Sequence, residues 1–182
     1  LEIKSFESFL DKTFRKNIVN NDQWENPPPK GWILPKNWYN RVGDIVRTTV
    51  VVKYFDGVDF LIQKMNDLCE QCSFQKDCFW EARENGYYAA HFYVKTELDI
   101  PQYDFETNRQ LVRMEIQVTT QIHDVLRSLL HTDYVTKRSL IKTNAIKWQW
   151  DYKSEEFAKN YLGHMVQYID GMIMTLKEKQ KG

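Results

Sequence analysis

One domain that mixes helices with strands is what this sequence predicts, from three observations. The 182 residues, 42% hydrophobic and 14% aromatic, suffice to bury a core without disulfide or metal staples. Several segments repeat their apolar residues at helical spacing, and others are dense in β-branched residues or alternate between apolar and polar. Helical and extended segments take turns along the chain, so both belong to one packed unit.

From Ser5 to Lys16 the spacing predicts a helix, with Phe6, Phe9, Leu10 and Phe14 on one side and Ser8, Lys12 and Arg15 on a basic polar face. The stretch N-N-D-Q-W-E-N-P-P-P-K-G-W-I-L-P-K-N-W carries four prolines and three tryptophans, which predicts an irregular connection apolar enough to pack. D-I-V-R-T-T-V-V-V-K-Y, from Asp44, is a strand by its β-branched density, and Asp56-Gly57 turns the chain into a helix near Val58 to Gln71. Tyr88 to Thr96 is a second strand, which Asp99-Ile100-Pro101 is expected to break. Gln110 to Thr120 is a third, with Met114, Ile116 and Val118 pointing one way and Arg113, Glu115, Gln117 and Thr119 the other. Such a charged strand face marks a candidate site. The helix predicted from Gln121 to about Tyr134 buries Ile122, Val125, Leu126, Leu129 and Leu130, leaving Asp124, Arg127, Ser128 and His131 on its other side. Ser154 caps a long last helix whose Phe157, Tyr161, Met165, Tyr168, Met172 and Leu176 form a stripe expected to be core. There is no internal repeat and no low-complexity tract.

Lys and Arg number 25, as do Asp and Glu, which excludes a general nucleic-acid or membrane-surface binder; any charged partner is met locally. No stretch approaches the roughly 18 consecutive apolar residues of a membrane span, and no charged-then-apolar leader is seen, which predicts a soluble, cytoplasmic protein. The first residue is Leu1 rather than Met, which predicts a natural start further upstream. Cys69, Cys72 and Cys78 are an odd number for a disulfide framework and indicate a reducing compartment. C-x-x-C followed by a third Cys could open a zinc site. Its fourth ligand has only unspaced candidates in Asp77 and His91, so buried or loop thiols are the expectation.

Four stretches, in order, carry chemistry: K-S-F-E-S-F-L-D-K-T-F-R from Lys4, D-I-V-R-T-T from Asp44, E-N-G-Y-Y-A-A-H from Glu84, and E-I-Q-V-T-T-Q-I-H-D-V-L-R-S-L-L-H from Glu115. In order and spacing they resemble the signatures of the RelA/SpoT synthetase domain. The resemblance covers residues 4 to 131 of a single domain spanning 1–182, with 132–182 a helical extension. It implies an α+β, nucleotidyltransferase-like fold, a mixed five-stranded sheet flanked by helices. It also implies a pyrophosphokinase that moves the β,γ-diphosphate of ATP to the 3′-hydroxyl of GDP or GTP, making (p)ppGpp-type alarmones.

Such a transfer needs a metal to neutralise ATP oxygens, cations to hold the triphosphate in line and a carboxylate to take the hydroxyl proton. The resemblance assigns Mg²⁺ to Asp44 and Glu115, with Glu115 doubling as base. Arg47 and His131 complete the catalytic group. The resemblance implies that Lys4, Ser8, Lys12 and Arg15 of the first motif, with Arg47 of the second, hold the ATP phosphates; the plain alternative for these cations is a solvated helix face. Asn85-Gly86 permits a positive-φ turn presenting Tyr87, which the resemblance makes the guanine platform. Asn85, His91, Gln117 and Asp124 join it on the acceptor side. Taken alone, Tyr87 reads equally as a packed aromatic, His91 as a satisfied core histidine and Asp124 as a helix-start charge.

The sequence departs from the family at Thr119, where Arg is usual, at Leu130, where Glu is common, at Arg83-Glu84, in place of Lys-Pro, and at Glu2, where Arg is frequent. These departures bear on acceptor preference. With no upstream His-Asp hydrolase motif and no regulatory segment after residue 182, a small synthetase-only member is expected. Such members divide into alarmone makers and toxins that pyrophosphorylate the 3′ end of tRNA. For the latter, Lys137, Arg138, Lys142 and Lys147 would form the basic track, although such charge runs also form solvated faces. A nucleotide acceptor is the preferred reading. An inactive nucleotide-binding module, with Thr119 as a mark of decay, is the third; joint retention of Asp44, Tyr87, Glu115 and His131 argues against it. An antitoxin partner and a homo-oligomer stay open.

Overall fold

The computed structural model describes residues 1–101, 105–137 and 147–180, with the backbone alone at 40 and 131–137. The elements run β1 (Glu2–Ile3), α1 (Phe6–Phe14), α2 (Trp38–Arg41), β2 (Val46–Val52), α3 (Phe55–Gln71), β3 (Gln75–Ala82), β4 (Tyr88–Pro101), β5 (Thr107–Thr120), α4 (Gln121–Lys137) and α5 (Glu155–Lys179). A π-helical turn at Arg15–Val19 prolongs α1, and a 3-10 turn at Trp148–Trp150 precedes α5. The strands make a mixed five-stranded sheet with flanking helices, in the order β1-β2-β5-β4-β3, so β5 is its middle strand. β1 and β2 are antiparallel, with Glu2 opposite Arg47 and Ile3 opposite Val46. Among the described residues no helix is long and apolar enough to cross a membrane.

By packing, the chain separates into two compact units, Leu1–Thr49 with Asn66–Cys78 and Phe92–Gln117, and Val50–Met65 with Phe79–His91 and Val118–Gly182. Ile33, Val42, Cys69, Phe92 and Val112 are buried in the first; Val58, Ile62, Ala90, Val118, Leu126 and Val166 are buried in the second. Helix starts follow local chemistry. The Ser5 hydroxyl accepts from the Ser8 amide at the head of α1, and Ser154 accepts from the Phe157 amide at the head of α5. Acidic Glu155 and Glu156 in the first turn of α5, with Lys177 and Lys179 in the last, suit its dipole. The proline-rich connection is irregular as expected. Asn17 fixes it by accepting from the Ile33 amide at 2.9 Å and donating to the Ile33 carbonyl at 3.0 Å.

Several expectations are corrected. β4 does not break at Asp99-Ile100-Pro101 but runs to Pro101, so that the proline, which lacks an N–H, stands at its last position rather than inside it. β3 itself adds to the predicted strands. Along α4, Val125 and Leu129 are exposed and His123 is buried instead. Along α5 the aromatic and methionine stripe, expected as core, faces outward: Tyr161, Met165, Tyr168, Met172 and Leu176 are all exposed, Tyr168 at 70%. The buried positions of α5 are Asn160, Gly163, Val166 and Asp170. The cause is close approach, since a Cβ on Gly163 would lie 2.3 Å from the Gly86 carbonyl oxygen, and a bulky stripe would not fit there. Phe6, Leu10 and Phe14 of α1 are likewise exposed, while Lys12 on the opposite face is half-buried.

Candidate functional site

In the first unit, two lysines close on one carboxylate. The β1–β2 ladder continues through the Lys4 amide, which donates to the Ile45 carbonyl at 2.8 Å and so sets Lys4 beside Asp44 in the turn before β2. The Ser5 cap then starts α1, which brings Lys12 back to the same point. Lys4 Nζ lies 2.9 Å from Asp44 Oδ2 and Lys12 Nζ 2.7 Å from Oδ1. Burial pushes the Asp44 carboxyl up, but the hydrogen bonds and charges of Lys12 and Lys4 more than offset this and hold it at about 2. Asp44 is therefore an anion at any physiological pH.

The other predicted phosphate ligands have partners of their own. Arg15 pairs with Asp11 at 2.8 Å, Arg47 grips Glu2 through Nε and Nη2 at 3.0 Å, and Ser8 accepts from the Ser5 hydroxyl at 2.9 Å. Glu2, a departure from the family pattern, is thus the residue that occupies Arg47.

Glu115 stands on β5, the middle strand of the sheet, and is only 5% exposed. The Tyr93 hydroxyl, on β4, donates to Glu115 Oε1 at 2.7 Å, and Gln117 Nε2 lies 3.4 Å from Oε2. Burial first, and then the Glu115 hydrogen bond and charge, push the Tyr93 phenol up, so it stays a donor. Arg113 lies over the Tyr93 ring, 3.7 Å from its centroid. Sequence reasoning placed Arg113 on this strand face but gave it no role, and it missed Tyr93. The available signal was alternation at 113, 115 and 117 opposite an aromatic-rich strand.

In the second unit the Asn85-Gly86-Tyr87 turn is fixed on both sides. Gly86 has φ +76°, Asn85 Oδ1 accepts from the Tyr87 amide at 3.3 Å, and the Arg83 amide donates to the Tyr87 carbonyl at 3.0 Å. His91 Nε2 is 2.9 Å from Glu81 Oε2 and 3.1 Å from the Tyr87 hydroxyl; a carboxylate only accepts, so this nitrogen carries the proton. Arg83 joins the group through Glu81 at 2.6 Å and stands 5.0 Å from the Tyr87 ring centroid. Tyr87 and His91 are thus brought together.

α5 clamps this turn. A Cβ on Gly86 would lie 2.4 Å from the Asn160 carbonyl oxygen and 2.9 Å from Gly163 Cα. His164 Nε2 donates to the Glu84 carbonyl at 2.8 Å, which leaves Nδ1 to accept from the Tyr88 hydroxyl at 2.8 Å. Deeper in, Thr120 donates to Asp170, and His123 Nε2 lies 3.0 Å from Gln167 Oε1. Burial, the largest influence, pushes the His123 imidazole down and keeps it neutral. None of His164, His123 or Asp170 was singled out from sequence.

Asp124 is engaged by Arg127 at 2.6 Å on α4. His131 and Lys137 lie on α4 where only the backbone is described, and Arg138 and Lys142 fall outside the described residues. Lys147, before the 3-10 turn, is exposed. Cys69, Cys72 and Cys78 are free thiols, Cys69 buried, and among the described residues no cluster of three or more metal-ligating side chains forms. Mg²⁺ asks less of a protein: it takes one or two carboxylates and completes its shell with phosphates and water. Asp44 and Glu115 are hard oxygen donors of that kind.

No protein-family model matches the sequence, and no curated protein matches it significantly. Solved structures do match. The chain is similar to small alarmone synthetase 1 from Bacillus subtilis bound to its product pppGpp, with TM-score 0.64 and 17% identity over 100% of this chain and 77% of that one. It is similar to small alarmone synthetase 2 from the same organism, at TM-score 0.60 and 17% identity over 98% and 78%. A GTP pyrophosphokinase family protein from Streptococcus pneumoniae gives 0.60 and 15% over 98% and 76%. At these identities the likeness establishes a shared fold.

Proposed function

We propose that this chain is a pyrophosphokinase that transfers the β,γ-diphosphate of ATP to the 3′-hydroxyl of GDP or GTP. The observation that carries the reading is the meeting of Lys4 and Lys12, from the first motif, on Asp44, from the second. Two cations and an ionised carboxylate at one point suit a metal-bound triphosphate, because the lysines can exchange Asp44 for phosphate oxygens. The likeness in fold to alarmone synthetases, one of them bound to pppGpp, supports the choice of substrate class.

In this reading Glu115 takes the proton of the 3′-hydroxyl as that oxygen bonds to the β-phosphorus of ATP, and the bond to the α,β-bridging oxygen breaks to release AMP. The Tyr93 hydrogen bond on Oε1 holds the base in one orientation. Asp44 and Glu115 would hold Mg²⁺, which when bound neutralises triphosphate oxygens. Tyr87 stacks on the guanine, with Arg83 as the cation at its ring and His91 fixing its hydroxyl.

The test is incubation with β,γ-labelled ATP, Mg²⁺ and either GDP, GTP or deacylated tRNA. Label on the guanine nucleotide is expected. Label on tRNA alone would move the acceptor to the tRNA 3′ end, and label on neither would leave a nucleotide-binding module.

A further inference from the structure

Arg113 is a cation that none of the roles above uses. It sits on β5 two residues before Glu115, and its guanidinium is stacked on Tyr93. Its Nε is buried and has no hydrogen-bond partner among the described residues. The two site carboxylates are otherwise engaged, Asp44 by Lys4 and Lys12 and Glu115 by Tyr93. Gly43, the residue before Asp44, makes room for the stack: a Cβ there would come within 3.0 Å of Arg113 Cδ, 3.1 Å of its Nε and 3.3 Å of the Tyr93 ring.

We propose that Arg113 is a ligand for the donor triphosphate, with Tyr93 as the platform that aims it; this rests on the reading of the chain as an ATP-dependent pyrophosphokinase. A guanidinium lying on an aromatic face has lost water from that face and keeps its edge N–H groups for an acceptor. A buried donor left without a partner is costly in the ligand-free state, so an acceptor that arrives with substrate relieves it. The planar fork matches two oxygens of one phosphate, where an ammonium offers a point charge. Lys4 and Lys12 belong to the same compact unit, and together with Arg113 they give a cation set suited to a polyanion with several phosphates. Tyr93 is fixed by its hydroxyl on Glu115, so its ring has one orientation in which to hold the arginine.

The experiment is calorimetric titration of the whole chain with α,β-methylene-ATP and Mg²⁺, and separately with inorganic tripolyphosphate. Arg113→Ala should weaken both by at least about tenfold, the loss of one charge-assisted contact, with Arg113→Lys recovering part of it. Tyr93→Leu should weaken both to a similar degree and the double variant no further than Arg113→Ala, since platform and ligand act as one. Tyr93→Phe, which keeps the ring, should bind within about threefold of wild type. Arg113→Met keeps the apolar stem against Gly43 and serves if the alanine variant does not fold.

Affinities within about twofold of wild type for both probes in Arg113→Ala would overturn the proposal. So would loss of the nucleotide analogue with tripolyphosphate unaffected, which would put the arginine at base or ribose, or failure of wild type to bind either probe. If both probes bind through Arg113 while no acceptor gains label, the pyrophosphokinase reading falls and the triphosphate site stands.

Discussion

The motif around Asp44 in the first unit and the Tyr87 turn in the second are held by different means. In the first, ions hold ions: Asp44 lies between Lys4 and Lys12, Arg47 on Glu2, Arg15 on Asp11. Each of these contacts is one that a charged ligand taken up there would have to displace. In the second, the Tyr87 turn is set largely by shape and hydrogen bonds, by Gly86 against Gly163 and by the chain from Glu84 through His164 to Tyr88. A ligand need disturb none of these. The contrast teaches that substitutions in the first unit should change affinity and its dependence on pH, while those under the turn in the second should change stability first.

The largest effect is expected at Glu115. Glu115→Gln keeps the size and the acceptor for Tyr93 but loses the charge, so label transfer should fall by about a hundred- to ten-thousandfold while the thermal midpoint holds. Turnover within tenfold of wild type would remove Glu115 from the chemistry. Next is Gly163→Ala, whose Cβ meets backbone rather than a flexible side chain. Denaturant titration should show a loss of about 3 kcal/mol. A change under about 0.5 kcal/mol would break the contrast, by showing that the turn is not held by close packing.

Tyr87 comes third and sharpens the comparison. Tyr87→Ala should raise the KM for GDP or GTP about ten- to a hundredfold, worth about 1–3 kcal/mol of stacking, while Tyr87→Phe keeps most activity. ATP affinity should not move in either variant; if it falls equally, the tyrosine is a packing residue. The smallest effect is in acid. Asp44 is held at about 2 against an ordinary 3.8, so the stability from its ion pairs is complete above 3.8 and is lost as pH falls toward 2. Lys12→Ala removes the stronger partner and should move the Asp44 titration, followed by carboxyl NMR, upward. An unmoved titration would assign the low value to Lys4 alone.

Much of this was legible in the sequence. Lys12 and Glu115 could be placed on their helix and strand faces by spacing, whereas Lys4 and Asp44, which lie just outside α1 and β2, were singled out by the resemblance of their motifs. The Asn-Gly-Tyr turn was legible because only a few residues tolerate positive φ. The outward stripe of α5 was not. Helical periodicity shows that a face exists, but which face is buried depends on what approaches it, and here a glycine in one element meets a glycine in another. Tyr93 and Arg113 escaped for a similar reason: their stack joins neighbouring strands, and only the strand order of the sheet brings them together.

The Gly86–Gly163 contact also sets a schedule. Its two glycines lie far apart along the chain, and synthesis proceeds from the N-terminus at about 5–20 residues per second. A nascent chain can pair β1 with β2 and bring Lys4, Lys12 and Asp44 together well before Gly163 has left the ribosome. The Tyr87 turn acquires its clamp only once α5 has emerged. Hydrogen exchange on ribosome-stalled nascent chains should accordingly show amides 83–88 gaining protection only in chains long enough to have released α5.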